Sequence, residues 1–479
     1  MKKLIYILLC VALFSSGVAL AQKPDRTTPP ALSKAKNLQL PPIQRFSLSN
    51  GLPVILMEKH TVPLVQINLL IQTGSFDDPA GKEGLSNFAM DLLDEGAGAF
   101  SSLQLADEIE FLGANISTYS GSFASGINCA ASSAKIEATL KLMTDIALNP
   151  TFAENEIERI RKNRLNGLLQ NYDEPNIISR RAFDRLLYDK STPYGRFPNE
   201  ASIKTYSKDD LTAFHKTHFV TGNSTLIIVG DVTQQSITPV LEKYFGSFPK
   251  GQATTAVKPV PQQVKGRQIY IVDKPGAAQS VIRIGRIGVP RNAPDQDNIE
   301  VMNTILGGSF ASRLNTNLRE THGYSYGAGS AFSFWKIPGP FIASSSVQTD
   351  VTGPALGEFF VEFKKIRQPL PDADLTRGKN YEALGYAGNF ETSRDIASAL
   401  VDLVLYQLPD NYFNTYVEKI LAVNKKGVEA AAKKYIVPEN MLIVIVGDKA
   451  KIEAGVQKLN LGKITYLTIE DILGKKPEL

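Results

Sequence analysis

Polar and apolar positions alternate in short runs near the start of the folded sequence, then recur at helical spacing. In RFSLSNGLPVILMEKH (residues 45–60), two alternating runs flank Ser49-Asn50-Gly51. That pattern predicts a β-hairpin, because such turn residues accept the backbone angles a tight reversal needs. VPLVQINLLIQT (62–73) suits a strand. In residues 84–95, Leu85, Phe88, Ala89, Leu92 and Leu93 fall on one face of a helix. Residues 133–147 and 154–170 also carry helical periodicity. Strands and helices mix without strict βαβ alternation. The expected class is therefore α+β, with mainly antiparallel sheets and helices packed on them.

A second regularity spans the chain. HFVTGNSTLIIVGDV (218–232) and YIVPENMLIVIVGDK (435–449) share an apolar lead, a turn with Asn, a run of β-formers and a closing Gly-Asp. Asn223 matches Asn440 and Asp231 matches Asp448 at one constant offset. Helix-like segments precede both, around 208–217 and 424–434. Repetition of a domain-sized unit explains this economically. It predicts two homologous domains facing each other across a cleft.

Length and composition agree. The chain of 479 residues exceeds one ordinary core. Apolar residues make up 43% and charged residues 21%, as in a globular protein. The 52 basic residues barely outnumber the 48 acidic ones, and no dense Lys/Arg block points to nucleic acid. Lys2 and Lys3, an apolar stretch from Ile5 to Phe14 and the small-residue site before Gln22 read as a secretory signal, residues 1–21. Its loss removes two lysines and no acid, so the net charge falls from +4 to +2. Of the two cysteines, Cys10 leaves with the signal. Cys129 then has no disulfide partner and reads as a small buried hydrophobe. Residues 22–41 read as an extended leader, 42–248 as a first domain, 249–266 as a Pro/Gly/Gln/Thr linker and 267–479 as a second domain. No stable membrane insertion is expected after signal cleavage. The short Lys-started signal and the lack of disulfides fit the periplasm, with the cell exterior as the alternative.

Several stretches carry a family resemblance. They are TGSFDDPAGKEGLSNF (73–88), PYGRFPNEASIKTYSKDDLTAFHKTHFVTGN (193–223), LGGSFASRLNTNLRETHGYSYG (306–327) and both Gly-Asp strand ends. In order and spacing they resemble the pitrilysin/insulysin-type metallopeptidases, the inverzincins, over essentially the whole mature chain. That family holds zinc with H-x-x-E-H on a helix, where two histidines at i and i+4 bind metal and the glutamate is general base. The matching positions here are Asn87, Met90 and Asp91. An amide oxygen is a poor zinc ligand, and a thioether cannot take a proton. The family's third ligand is a glutamate roughly 75 residues downstream on a later helix; here that region reads RLNGLLQ (164–170), without an acid. The expectation is a degenerate zinc site, with no metal bound by this chain. His215 and His218, spaced i and i+3, read as a packed helix-end pair.

A second family feature is kept. RETHGYSY (319–326) matches the family's arginine–tyrosine pair, which the resemblance assigns to Arg319 and Tyr326 as substrate-binding residues. A guanidinium fork and a phenol can hold peptide carbonyls and steady an oxyanion. Gly307, Gly308 and Gly323 would let backbone approach a peptide. The bland reading pairs Arg319 with Glu320 and leaves Tyr326 an ordinary strand aromatic. Loss of the metal helix with retention of this pair implies a non-zinc subunit of a two-chain peptidase. It would bind extended peptide and serve a zinc-bearing homologous partner. A silent peptide-binding or scaffold homologue and an independent zinc protease are the alternatives.

Overall fold

Turn chemistry starts the first sheet. β1 (Gln44–Ser47) and β2 (Pro53–Glu58) pair antiparallel across Ser49-Asn50-Gly51. The Asn50 amide donates to the carbonyls of Phe245 (2.8 Å) and Phe248 (3.1 Å), which ties the turn to the end of the helix Gln234–Phe245. β3 (Leu64–Ile71), β6 (Asn115–Ser120), β7 (Ser125–Ser132) and β8 (Ser224–Gly230) complete the order β1-β2-β8-β3-β7-β6. A ribbon of β4 (Gly96–Ala97) and β5 (Phe100–Ser101) stands apart. The second sheet is built from β9 (Gln268–Asp273), β10 (Gln279–Ile287), β11 (Ser325–Phe332), β12 (Pro340–Gln348), β13 (Leu442–Gly447) and β14 (Ile464–Leu467). Its order is β11-β12-β10-β13-β9-β14. Only β2–β8, β9–β13 and β9–β14 run parallel. This computed structural model describes residues 33–252 and 258–478. The expected signal, the first part of the leader and residues 253–257 of the expected linker lie outside the described residues.

The sequence repeat is a repeat of topology. Strands β2-β8-β3-β7-β6 correspond one by one to β9-β13-β10-β12-β11. The two Gly-Asp runs are the central strands β8 and β13, each with a parallel neighbour on one side and an antiparallel one on the other. The sixth strand differs: β1 arrives by hairpin, whereas β14 comes from the end of the chain. The architecture is α+β, with two similar domains.

Both faces of the first sheet are buried, so its central strands are nearly continuous apolar runs. Val54, Leu56, Leu69 and Ile228 face one core, shared with α1 (Leu85–Asp91) and the helices Ile136–Leu148 and Gln234–Phe245. α2 (Glu154–Asn171) lies outside them and adds Ile157 and Leu165. Ile55, Met57, Leu70, Ile227 and Val229 face the other way. That second face is only partly covered by its own half, through residues such as Phe76 and Phe123. α3 (Pro175–Tyr188) leaves the first half and packs Ile178, Ala182, Phe183 and Leu187 on Val272, Ile287, Leu442, Val444 and Val446 of the second sheet. α4 (Ser393–Leu405) does the reverse, laying Ile396, Ala397, Leu400 and Leu403 on the first sheet. Each fully buried Leu, Ile or Phe contributes about 1.5–3 kcal/mol, so this exchange binds the halves strongly. Lys36–Leu479 accordingly forms one compact unit. The remaining face of the second sheet carries the helix Thr352–Lys365, with Phe363 centred 6.2 Å from Phe341 of β12.

Candidate functional site

α1 is shorter than its apolar stripe suggests. Periodicity predicts a helix over 84–95, but the helix ends at Asp91, and the Leu92 amide already turns back to the Ala89 carbonyl at 3.2 Å. Leu92 and Leu93 are buried from a turn rather than from a helix. The chain must reverse at once into β4, and Gly96 (φ +116°) supplies an angle that side-chain-bearing residues avoid. The helix opens on Asp78, whose carboxylate accepts from the amides of Gly84 (2.7 Å) and Ser86 (2.9 Å). Burial still pushes the Asp78 pKa to about 6.

The three positions that match the metal motif have separate fates. Met90 is 1% exposed and belongs to the apolar core. Asn87 stands on the wall of a cleft. Asp91 is claimed by Arg164 of α2, whose Nε donates to Oδ2 at 2.8 Å and whose Nη2 donates to the same oxygen. Burial raises the Asp91 pKa and the Arg164 charge opposes that rise. Thus a cation, the guanidinium, faces the carboxylate at the place from which the resemblance would bring a third ligand. Zinc needs three or four N, S or O donors around one point. An amide, a thioether turned into the core and a carboxylate held through one oxygen by an arginine do not fit it. Among the described residues no group of three or more His, Cys, Asp or Glu could hold a metal ion.

A substitution series tests this account. Along the side chain, a glutamate Oε sits where the arginine Nε does. Arg164→Glu in the Asn87→His/Asp91→His background therefore supplies a third donor and removes the competing charge. That triple variant is expected to hold about one zinc per chain by equilibrium dialysis, whereas the double variant that keeps Arg164 holds none. Stoichiometric zinc in the double variant would contradict the guanidinium's role.

The cleft beside α1 has a volume of about 790 Å³. Both halves line it: Asn87 and Phe76 from the first, Arg283 and Trp335 from the second. Trp335 is the only tryptophan, and its ring meets Tyr188 (5.8 Å), Phe76 (5.5 Å) and Phe123 (5.9 Å). The arginines of this lining escaped sequence reasoning. Their readable signal was VIRIGRI (281–287), which sets Arg283 and Arg286 inside an otherwise apolar strand.

Arg319 and Tyr326 do not line that cleft. Arg319 lies in a π-helical turn, Thr316–Thr321, where the His322 amide reaches back to the Asn317 carbonyl at 3.1 Å. Its Nε is 3.2 Å from Glu320, as the bland reading expects, and its guanidinium stacks over Phe310 at 4.7 Å. Tyr326 is 90% exposed on β11, the edge strand of the second sheet, beside an irregularity in the pairing between Ser325 and Ala328. The glycine expectation needs correction. A Cβ on Gly307 would stand 2.3 Å from the Ser330 amide nitrogen, so this glycine serves tight packing against β11. Gly308 likewise abuts Asn303, and only Gly323 is open.

The other candidates are structural. His215 bonds the Ala147 carbonyl at 2.8 Å and stacks on Phe219 at 4.5 Å. His218 packs on Phe214 at 4.8 Å, and burial lowers the pKa of both histidines. His60 is exposed and bonds Asp231 at 2.8 Å. His322 is exposed and stacks on Tyr324 at 4.9 Å. Cys129 is buried, which pushes its thiol to about 12 and leaves it inert.

Two family models match this chain: Insulinase (Peptidase family M16) over residues 53–189, and Peptidase M16 inactive domain over residues 205–381. The chain belongs to this pitrilysin/insulysin-type peptidase family. Among its relatives is an uncharacterized zinc protease of Rickettsia felis, 25% identical over 406 residues, covering 84% of this chain and 91% of the relative. A probable mitochondrial-processing peptidase subunit beta of Arabidopsis thaliana is 21% identical over 424 residues, 86% of this chain and 79% of that protein. The fold matches the crystal structure of a peptidase M16 inactive domain from Pseudomonas fluorescens with a TM-score of 0.79 at 24% identity, over 85% of this chain and 97% of that one. It also matches the periplasmic protease PqqL from Escherichia coli with a TM-score of 0.72 at 16% identity, over 91% of this chain and 50% of that one. Among the described residues no helix is long and apolar enough to cross a membrane.

Proposed function

We propose that this chain is the non-zinc subunit of a two-chain peptidase, secreted through residues 1–21 into the periplasm. It binds extended peptide and offers Arg319 and Tyr326 in trans to a zinc-bearing homologous partner. One observation carries the reading: the chain's own metal helix is neutralised by Arg164, while Tyr326 stands on an exposed sheet edge away from its own cleft. An edge strand can accept a peptide as an added strand. A guanidinium and a phenol beside it suit a developing oxyanion on that peptide. Naming of the Rickettsia relative as a zinc protease and of the Pseudomonas neighbour as an inactive domain supports a family in which chains with and without the metal occur.

The test is reconstitution. The chain alone is expected to cleave no quenched peptide, and a mixture with a zinc-type family member from the same genome is expected to cleave it. A mixture that stays inactive, with a partner shown to hold zinc, would overturn the proposal. The Arg319–Glu320 pair and the Phe310 stack favour a second reading, a silent peptide-binding homologue in which Arg319 only closes a turn. In that case the mixture gains no activity although the chain still binds peptide.

A further inference from the structure

Five arginines line the cleft, and they are not equivalent. Arg164 is engaged by Asp91, and Arg196 lies 3.5 Å from Glu83. Arg180, Arg181 and Arg283 have no carboxylate within 4.0 Å among the described residues. Arg180 and Arg181 come from α3, and Arg283 projects from β10 on the face that α3 covers. The Arg181 guanidinium is stacked on Phe197 at 4.6 Å, which fixes its plane while leaving its donors free. The Arg283 Nε is buried and has no hydrogen-bond partner. A buried donor left unmatched is costly, so such a group in a native cleft calls for an acceptor.

The acids nearby do not balance this charge. Asp184, one turn beyond Arg180 on α3, is the carboxylate that all three arginines act upon. Burial raises its pKa to about 6 against their pull, so it offers at most one negative charge to three cations. Asp78 also lines the cleft, but burial raises it to about 6 as well and its carboxylate already accepts from the amides of Gly84 and Ser86. The wall also carries the aromatic rings of Phe76, Tyr194 and Trp335, set among polar side chains such as Asn87, Ser122 and Asn171. A bare inorganic anion would leave that apolar surface uncovered. A segment that alternates carboxylates with apolar side chains would cover both.

We propose that the cleft is a receptor site for acidic peptide segments, whose carboxylates are held by Arg180, Arg181 and Arg283 while neighbouring apolar side chains rest on Trp335 and Phe76. That the occupant is a peptide rests on the peptidase-family reading above. The acidic preference rests on the arginines. Guanidinium forks take carboxylates by paired charge-assisted hydrogen bonds, and a neutral amide cannot replace them.

Fluorescence anisotropy of the full chain tests this with a labelled glutamate-rich peptide interleaved with leucine, and with the same peptide carrying glutamine at each acidic position. The acidic peptide is expected to bind about tenfold or more tightly, and its affinity should fall with added salt. Arg181→Gln and Arg283→Gln should each remove most of that preference, bringing the affinity for the acidic peptide close to that for the glutamine peptide. Arg180 is exposed, so Arg180→Gln is expected to fold and gives a third reading if Arg283→Gln melts early. Equal affinities for the two peptides overturn the proposal, as does a preference that survives the substitutions in folded variants. Binding of inorganic phosphate with no binding of the acidic peptide overturns it in favour of a small-anion site. Acidic preference without cleavage in the mixed assembly would sink the two-chain reading alone. Cleavage in the mixture with no acidic preference would sink this inference alone.

Discussion

Arg319→Ala will lower peptide cleavage by the mixed two-chain assembly about tenfold or more, and Tyr326→Phe will do the same. Loss of one donor to a developing oxyanion costs about 2.7–4 kcal/mol in the transition state. Tyr326 makes this test clean. It is 90% exposed, so removing its hydroxyl alters no packing, and the melting temperature of the lone chain should not move. A fall in activity with unchanged stability then belongs to chemistry. The split between constants adds a check: a group acting only in the transition state lowers kcat, whereas one that merely grips peptide raises KM. Arg319 begins from a local engagement with Glu320 and Phe310. It must leave that pair to reach a substrate, so its substitution should fall on both constants. Full activity in both variants would remove the shared-site proposal and leave the silent peptide binder.

Much of this molecule was legible where a residue's neighbours lie close in sequence. The β1–β2 hairpin follows from Ser49-Asn50-Gly51, and the paired Gly-Asp runs revealed two repeats, because period-two patterning and turn chemistry are local. Burial of Met90 was not read, because the apolar stripe runs through Leu85, Phe88 and Ala89 and leaves Met90 among the motif positions. Nor was the exchange of α3 and α4. An amphipathic stripe says that a helix will be buried and is silent on which of two similar sheets will bury it. The Arg164–Asp91 pair was half visible: the missing acid near 164 could be read, but the cation facing Asp91 joins residues on two different helices. α1 was overextended because Leu92 and Leu93 continue its stripe, while the reversal into β4 is set by tertiary pairing. The arginine cleft was missed for a similar reason. Arg180 and Arg181 look like a solvated helix face until β10 brings Arg283 beneath them.

Phe183→Ala should destabilise the whole chain by about 3–5 kcal/mol, the range for removing a fully buried aromatic ring. Phe183 is 0% exposed, and its ring fills the space opened by Gly285 of β10, where a Cβ would meet the Phe183 Cζ at 2.8 Å. Its neighbours in the core include Val272, Leu442, Val444 and Val446 of the second sheet. Because α3 belongs to the first half and rests on the second sheet, this loss strikes both at once. Leu400→Ala on α4, also 0% exposed, is the reciprocal change and should cost about 2–5 kcal/mol. Urea unfolding followed by Trp335 fluorescence and by circular dichroism separates the alternatives, since Trp335 lies where aromatic side chains of the two halves meet. With the helices exchanged, both probes should report one transition, and each substitution should shift that transition as a whole. Two transitions, with Phe183→Ala moving one and Leu400→Ala the other, would mean that the halves unfold independently. A single transition would mean that Arg180 and Arg181 on α3 and Arg283 on β10 belong to one cooperative unit.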